Sequence, residues 1–290
     1  MKQDYNKKNY NRRTKAKEIY DKVVSNVQRI IGNGEYEKFL KFQNHFHKYS
    51  FNNIVLIYSQ FPNATKVAGR VKWKELGREL IEGAKRIQIT AGMPAQGKIK
   101  VKKIVDGKEI EEEQTYSYTA YKAVYVYDIS ETEGEPIPLE VKMLSSENMV
   151  SFFEKLKQFS KFIIYEINLG GSVKGFFNPK NNTITLDSSL SVDAKAAVLL
   201  HELVHGLYDD FNYKTDRHLS EMFVESVAYI VADYFGLDNS MCSFNYITRY
   251  SKGDADIIVE LGPKIKKCAN DFIKQIEDFE VQEKQDKIAA

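Results

Sequence analysis

The segment His201-Glu202-Leu203-Val204-His205 commits its stretch of chain to a helix if the two histidines are to act together. Residues four apart lie one above the other on one helix face, so two imidazoles at that spacing can grip one metal ion. The glutamate beside the first histidine then stands next to the water such an ion activates, as a general base. The flanking sequence supports the helix. Ser191 suits a helix cap, and Ala194, Ala197, Val198, His201 and His205 fall on one stripe. The plain alternative is a pair of structural histidines in an amphipathic helix. A hydrolytic centre also needs a third protein ligand and an open position for water. Glu221 and Glu225 project from one face of the next helical stretch, in line with Ala228 and Ala232, which are small enough for close packing. One carboxylate can bind the ion while the other orients a histidine ligand. Asp209, Asp210, Asp216 and His218 are the alternatives, and Tyr208 or His218 can be cast as an oxyanion stabiliser. Two histidines and one carboxylate suit several divalent ions; Zn2+ is expected, with Mn2+ as the alternative.

Charge is divided along the chain. The formal net charge is +2, but residues 1–130 hold 25 Lys+Arg against 14 Asp+Glu, and residues 131–290 hold 17 against 26. A basic half joined to an acidic half predicts two domains with different partners, the basic one nucleic acid. The acidic, proline-containing stretch ETEGEPIPLE suits a linker. The expected organisation is a flexible basic arm at 1–17, a nucleic-acid-binding domain at 18–135, a linker at 136–146, a metal-site domain at 147–282 and a polar tail at 283–290. Helical periodicity is visible from Ala16 to Ile31, through Tyr36–Phe46 and over Asn53–Gln60; IQIT (87–90) and KAVYVYDI (122–129) alternate like strands. Residues 98–114 read as a protruding hairpin turning at Asp106-Gly107. Further strands are expected at 162–168, 173–177 and 183–187, with helices at 192–208 and 219–235.

The basic N-terminus lacks the apolar core of a secretory signal, and no apolar run is long enough to span a bilayer. Cys242 and Cys268 form no CxxC pair, so neither a disulfide framework nor a cysteine metal site is expected. A cytoplasmic protein without a membrane partner is the expectation.

In the basic half, Arg70, Lys72, Lys74, Arg78, Lys85 and Arg86 cluster in sequence around Trp73, with Tyr58 close by. Single strands are held by a positive groove and by aromatic faces on which bases stack, largely without regard to sequence and with strong salt dependence. The competing reading places Trp73 in a core and the cations on a solvated face.

Two resemblances extend these readings. HELVH followed by E-M-F-V-E-S-V-A-Y-I-V-A resembles the gluzincin pattern of metallopeptidases. That resemblance implies Glu221 as third ligand and Glu225 as its supporter, with Val224 standing where Ala is usual. Thr183–Asp187 looks like the edge strand on which such enzymes bind an extended peptide. Residues 51–89, through Phe51-Asn52-Asn53, Trp73-x-x-Leu76-Gly77-Arg78 and Gly83-x-Lys85, together with VYVYDISETEGEP at 124–136, resemble ArdC-type antirestriction proteins, including LtrC-like proteins of mobile elements. That family implies an α+β chain of two domains: an N-terminal α+β domain that binds single-stranded DNA, then a gluzincin-like metallopeptidase domain. It also implies a role in shielding the incoming DNA of a mobile element from host restriction. Three functions follow as expectations: a DNA-associated metallopeptidase acting on a protein substrate, a DNA-protective protein with a structural or vestigial metal site, or a regulatory protease that cleaves a repressor without binding DNA.

Overall fold

The computed structural model describes residues 2–105, 108–137, 147–212, 215–237 and 255–289. Residue contacts divide the chain into two compact units, Met1–Tyr20 with Ser59–Glu135, and Asp21–Tyr58 with Pro136–Ala290. The stretch expected as one domain at 18–135 is therefore shared between them. The reason is burial. Val23, Val27, Ile30, Phe39, Leu40, Ile54 and Ile57 are all buried, and the helices that carry them add to the core of the second unit. The charge asymmetry survives in weaker form: the first unit holds 20 Lys+Arg against 14 Asp+Glu, the second 22 against 26.

The expected basic arm is helical. Lys2–Gly32 form one helix, α1, which suits a segment rich in Lys and Arg. At the other end, α8 (Ala255–Ala289) runs on through the expected polar tail. The Asp106-Gly107 turn, most of the expected linker and Cys242 lie outside the described residues. Among the described residues, no helix is long and apolar enough to cross a membrane.

The first unit is built on a long antiparallel hairpin, β3 (Ile87–Val105) and β4 (Lys108–Asp128), in register from Ile87↔Val126 to Val105↔Lys108. Short β1 (Val67–Ala68) pairs with the end of β4. A six-residue helix, α4 (Arg70–Glu75), leads into β2 (Arg78–Leu80), which pairs with β5 (Thr132–Gly134). Among the described side chains, the hairpin is buried at its base, through Ile87, Ile89 and Val126, and Trp73 belongs to that core. Further out, Lys98–Glu113, Lys100–Glu111 and Lys103–Glu112 pair across the strands. Each such exposed pair contributes little stability. Their effect is to neutralise much of the charge of the KIKVKK run. Asp128, 1% exposed, closes the unit by accepting from the backbone amides of Thr65, Lys66 and Ser130.

In the second unit, α2 (Tyr36–Gln43) packs on α7 (Arg217–Tyr234), where Tyr229 donates to Glu37 at 2.7 Å and Asn44 to Asp233 at 2.8 Å. Helix α3 (Phe51–Gln60) follows, and α5 (Glu147–Phe159) packs on α6 (Val192–Tyr208). A three-stranded sheet is ordered β6 (Ile163–Ile167), β8 (Thr183–Asp187), β7 (Gly175–Asn178), with β8 parallel to β6 and antiparallel to β7. This corrects one expectation: Thr183–Asp187 is the central strand. Ile184 and Leu186 are buried, and so are Thr185 and Asp187 on the opposite face. Such two-sided burial belongs to an interior strand. The edge strand packed against α6 is β7.

Candidate metal centre

Helix α6 starts as its sequence predicts, with the Ser191 hydroxyl accepting from Ala194 N at 3.3 Å. Leu199, Leu200, Leu203 and Val204 point into the core. The stripe of Ala197, Val198 and His201 instead lines a cleft of about 180 Å³ together with Lys174, Gly175, Glu202 and Glu225. Helix α7 crosses behind it and buries Val224, Ala228 and Ala232. These small side chains let Glu221 and Glu225 approach the histidines.

Three donor atoms converge. His201 Nε2 and His205 Nε2 are 3.2 Å apart, and Glu221 Oε2 lies 3.5 Å from the first and 3.7 Å from the second. Metal–ligand bonds of about 2.0–2.2 Å in a tetrahedral site place ligand atoms roughly 3.3–3.6 Å apart. The donor set therefore fits a divalent ion in both chemistry and span. Each ring nitrogen that faces away from this point has a carboxylate beside it. His205 Nδ1 is 2.8 Å from Asp209 Oδ2, and His201 Nδ1 is 3.5 Å from Glu225 Oε2. Such carboxylates fix the tautomer and leave Nε2 free to ligate. Asp209 is itself fixed by Ser220 Oγ at 2.6 Å and Phe211 N at 3.1 Å.

Charge is concentrated at this point. Burial disfavours a charged His205, but hydrogen bonds to Asp209 and Glu221 outweigh it and push the pKa up to about 9. Burial also works against ionised Glu221, yet the two histidines hold its carboxyl well below the usual range. Desolvation pushes Glu202 and Glu225 up. Four carboxylates thus surround two imidazoles, an excess that a divalent cation would balance.

Glu202 is 7% exposed, and one of its oxygens accepts from the backbone N–H of Phe177 on β7 at 2.7 Å. Two glycines permit that approach. A Cβ on Gly175 would come within 2.6 Å of Val198 and 2.8 Å of the Thr185 carbonyl; one on Gly206 would come within 2.6 Å of the Phe162 ring. Such contacts are tighter than packed atoms tolerate.

The remaining candidates are placed elsewhere. Asp210 pairs with Lys264, Asp216 accepts from Thr215 Oγ1, and the Tyr208 hydroxyl accepts from Gln275 at 2.7 Å. His218 sits in the first turn of α7. Asp209 is the hydrogen-bond partner of His205 rather than one of the three converging donors. Its i,i+4 spacing from His205 was the signal for it.

The expected stacking residues do not serve. Trp73 is 0% exposed and donates Nε1–H to the Tyr127 carbonyl at 3.0 Å, so it offers no free face for a base. Tyr58 belongs to the second unit, where it is buried edge-on against Phe39 and Phe42. Arg78 is a structural clamp, donating to Thr132 Oγ1 and to the carbonyls of Thr132 and Gly134. Arg70, Lys72, Lys74, Lys85 and Arg86 are exposed, with Lys72 paired to Glu75. The hairpin offers accessible aromatic faces: Tyr121 is 60% exposed and Tyr125 44%, with the Arg86 guanidinium 4.7 Å from the Tyr125 centroid.

Residues 13–127 match the family described as the N-terminal domain of the anti-restriction factor ArdC. Over those residues the chain is similar to that N-terminal domain. Its fold is similar to that of the antirestriction protein ArdC of plasmid R388 in a Mn(II)-bound crystal structure, with a TM-score of 0.55 and 15% identity over 90% of this chain and 97% of that one. It is also 25% identical to an uncharacterized Bacillus anthracis protein, pXO2-81, over 87% of this chain and 50% of the relative. The chain thus spans about half the length of that curated relative. The likeness to the plasmid protein establishes a mixed α/β fold of the ArdC kind.

Proposed function

We propose that this ArdC-like protein is an antirestriction factor of a mobile element that binds single-stranded DNA and carries a metal-dependent peptidase centre of gluzincin type. The observation that carries the metal reading is the convergence of His201 Nε2, His205 Nε2 and Glu221 Oε2 within 3.7 Å beside the buried Glu202. The related plasmid protein binds Mn(II), which supports a divalent ion; the tetrahedral span favours Zn2+. Bound there, the ion would make a water acidic and polarise a carbonyl.

The chain's own residues supply the rest. Glu202, raised in pKa by burial, takes a proton from the attacking water and delivers it to the leaving amine. Asp209 and Glu225 keep Nε2 of each histidine turned toward the centre. Just before β7, the Lys174 carbonyl accepts from Asp187 N, and on β7 Phe177 N turns away from β8 toward Glu202. The outward edge of β7 thus faces α6. An extended peptide lying along such an edge would be held through main-chain hydrogen bonds beside Glu202.

For DNA, we assign the exposed cations Arg70, Lys72, Lys74, Lys85 and Arg86 to phosphates and the hairpin faces of Tyr121 and Tyr125 to base stacking. Elemental analysis of purified protein tests the metal reading: a stoichiometric divalent metal should be present and absent from the His201→Ala, His205→Ala variant. Its retention in that variant would overturn the site. Filter binding of labelled single and double strands over a salt series tests the DNA reading. Absence of single-strand binding at low salt would overturn it. Scoring Glu202→Ala for protection from restriction separates a working peptidase from a structural metal site.

A further inference from the structure

The sheet beside the candidate metal centre has a second edge. Its strand order places β7 on one side and β6 (Ile163–Ile167) on the other. Strand β6 runs parallel to β8, from Ile163↔Thr183 to Ile167↔Asp187, and the Ile167 carbonyl accepts from Ser188 N at 2.9 Å. In such a ladder alternate residues turn both backbone groups to the same neighbour. Ile163, Tyr165 and Ile167 therefore face β8, and Ile164 and Glu166 turn their amides and carbonyls outward. Phe162, next in the outward series, is already bonded through both groups to the Ser160 hydroxyl, at 3.0 and 3.1 Å. The outward groups of Ile164 and Glu166 have no such partner among the described residues.

An open edge is a template for another strand, and proteins ordinarily blunt it with a lysine, a proline or a bulge. The sequence of β6, IIYEI, has no lysine or proline, and its register is unbroken. Glu166, its one charge, turns toward the helices, where it pairs with Lys157 of α5 at 3.0 Å and Lys195 of α6 at 2.8 Å. The opposite face of the strand is uncharged and accessible: Ile163 is 60% exposed, Tyr165 50% and Ile167 52%. In the row through Tyr165, β7 adds the half-exposed Phe176 beyond Thr185. A face without cations does not suit nucleic acid.

We propose that this edge pairs with the same edge of a second copy of the chain, antiparallel about a two-fold axis through Tyr165, joining the two three-stranded sheets into one. Self-complementarity selects both the partner and the register. With Tyr165 facing its own copy, Ile164 lies opposite Glu166 of the other chain, and each such pair exchanges N–H···O bonds in both directions. On the accessible face Ile163 meets Ile167 and tyrosine meets tyrosine. On the helix side each Glu166 sits across from Ile164, so no like charges meet. Moving the axis to Glu166 would set two carboxylates face to face. Moving it to Ile164 would require the backbone groups of Phe162, which Ser160 holds. The pairing uses the edge opposite β7 and so does not depend on the peptidase reading.

Sedimentation equilibrium of the full chain under reducing conditions tests this. Main-chain bonds with a small apolar patch belong to the weaker class of interface, so a reversible dimer with a dissociation constant of roughly 1–100 µM is expected. Tyr165→Lys, which sets two ammonium groups together at the axis, should weaken it about tenfold or more. Should that variant not fold, Ile163→Lys, at the most exposed of the three positions, should do the same. Oxidation of cysteine variants reads the register. Facing Cα atoms in a non-hydrogen-bonded antiparallel pair stand about 4.5 Å apart, within disulfide range, so Tyr165→Cys should form a covalent dimer. Ile163 lies opposite Ile167 of the other copy, roughly 13 Å from its own counterpart. Ile163→Cys should therefore cross-link no more than the unaltered chain, which carries Cys242 and Cys268. A monomer across that concentration range would overturn the proposal and leave β6 to a strand from another protein. An unchanged dimer in the folded lysine variant, or equal cross-linking at positions 163 and 165, would also overturn it.

Discussion

Asp209 is the most informative position at which to perturb the metal centre, because it touches a proposed ligand without being one. Its two oxygens accept three bonds: His205 Nδ1 at 2.8 Å, Ser220 Oγ at 2.6 Å and Phe211 N at 3.1 Å. With Nδ1 held protonated by that carboxylate, the Nε2 lone pair of His205 is available to a metal. Without it the ring can turn or change tautomer. Removing such a partner typically weakens metal binding about 10- to 100-fold, roughly 1.4–2.7 kcal/mol. Asp209→Asn keeps the shape and one acceptor but loses the charge, so it should fall near the tenfold end. Asp209→Ala loses all three bonds and should approach 100-fold. Ser220→Ala removes only a bond to the carboxylate and should cost a few-fold. Competition against a chromophoric chelator measures all three on folded protein, with circular dichroism checking the fold. Asp209→Ala binding metal within threefold of the unaltered chain would refute the argument that this carboxylate orients His205.

Other predictions follow from packing and burial. Lys266→Met should stabilise the chain by up to about 3 kcal/mol below pH 8, since each pKa unit is worth about 1.4 kcal/mol and the amine drops from 10.5 to about 8 on burial. The unfolded chain binds the proton more tightly, so the unaltered protein gains stability as pH rises from 8 to 10.5 and the gap to the variant closes; denaturant titrations giving a pH-independent gap would contradict this. Gly175→Ala should destabilise by about 1–3 kcal/mol through overpacking against Val198 and the fixed Thr185 carbonyl, and a neutral result in urea unfolding would show that β7 can retreat from α6. Trp73→Ala should cost about 3–5 kcal/mol as a core deletion. Trp73→Phe, if folded, should bind single strands as before, and a selective loss of binding would restore Trp73 as a contact residue. Tyr121→Ala with Tyr125→Ala should weaken single-strand binding by about 1–3 kcal/mol per base unstacked, leaving the salt slope unchanged; a changed slope with unchanged affinity would argue against stacking there.

Helix α6 was legible in the sequence because everything it needs is local: a Ser191 cap, a run of helix formers and a histidine spacing that has meaning only at 3.6 residues per turn. Glu221 and Glu225 were legible for the same reason. The misreadings share a different cause. Trp73 lies among cations in sequence, yet the cations point outward from a short helix while the indole points inward to the Tyr127 carbonyl. Adjacency along the chain says nothing about which face a side chain takes in so short a helix. Thr183–Asp187 alternates Thr with Ile and Leu, a pattern that fits one buried face at an edge. Here Thr185 and Asp187 are buried as well, on a strand flanked by β6 and β7. Strand order depends on crossovers that periodicity does not encode. Residues 21–58 follow the same logic: their apolar stripes announced helices but carried no address, and contacts such as Tyr229 to Glu37 join positions nearly two hundred residues apart. What sequence supplied was the chemistry of the candidate metal centre. What required the fold was its support: the Phe177 amide on Glu202, the Asp209–Ser220 pair behind His205, and the two glycines that bring β7 against α6. Those features hold Glu202 and His205 at fixed places, and each rests on contacts between different elements.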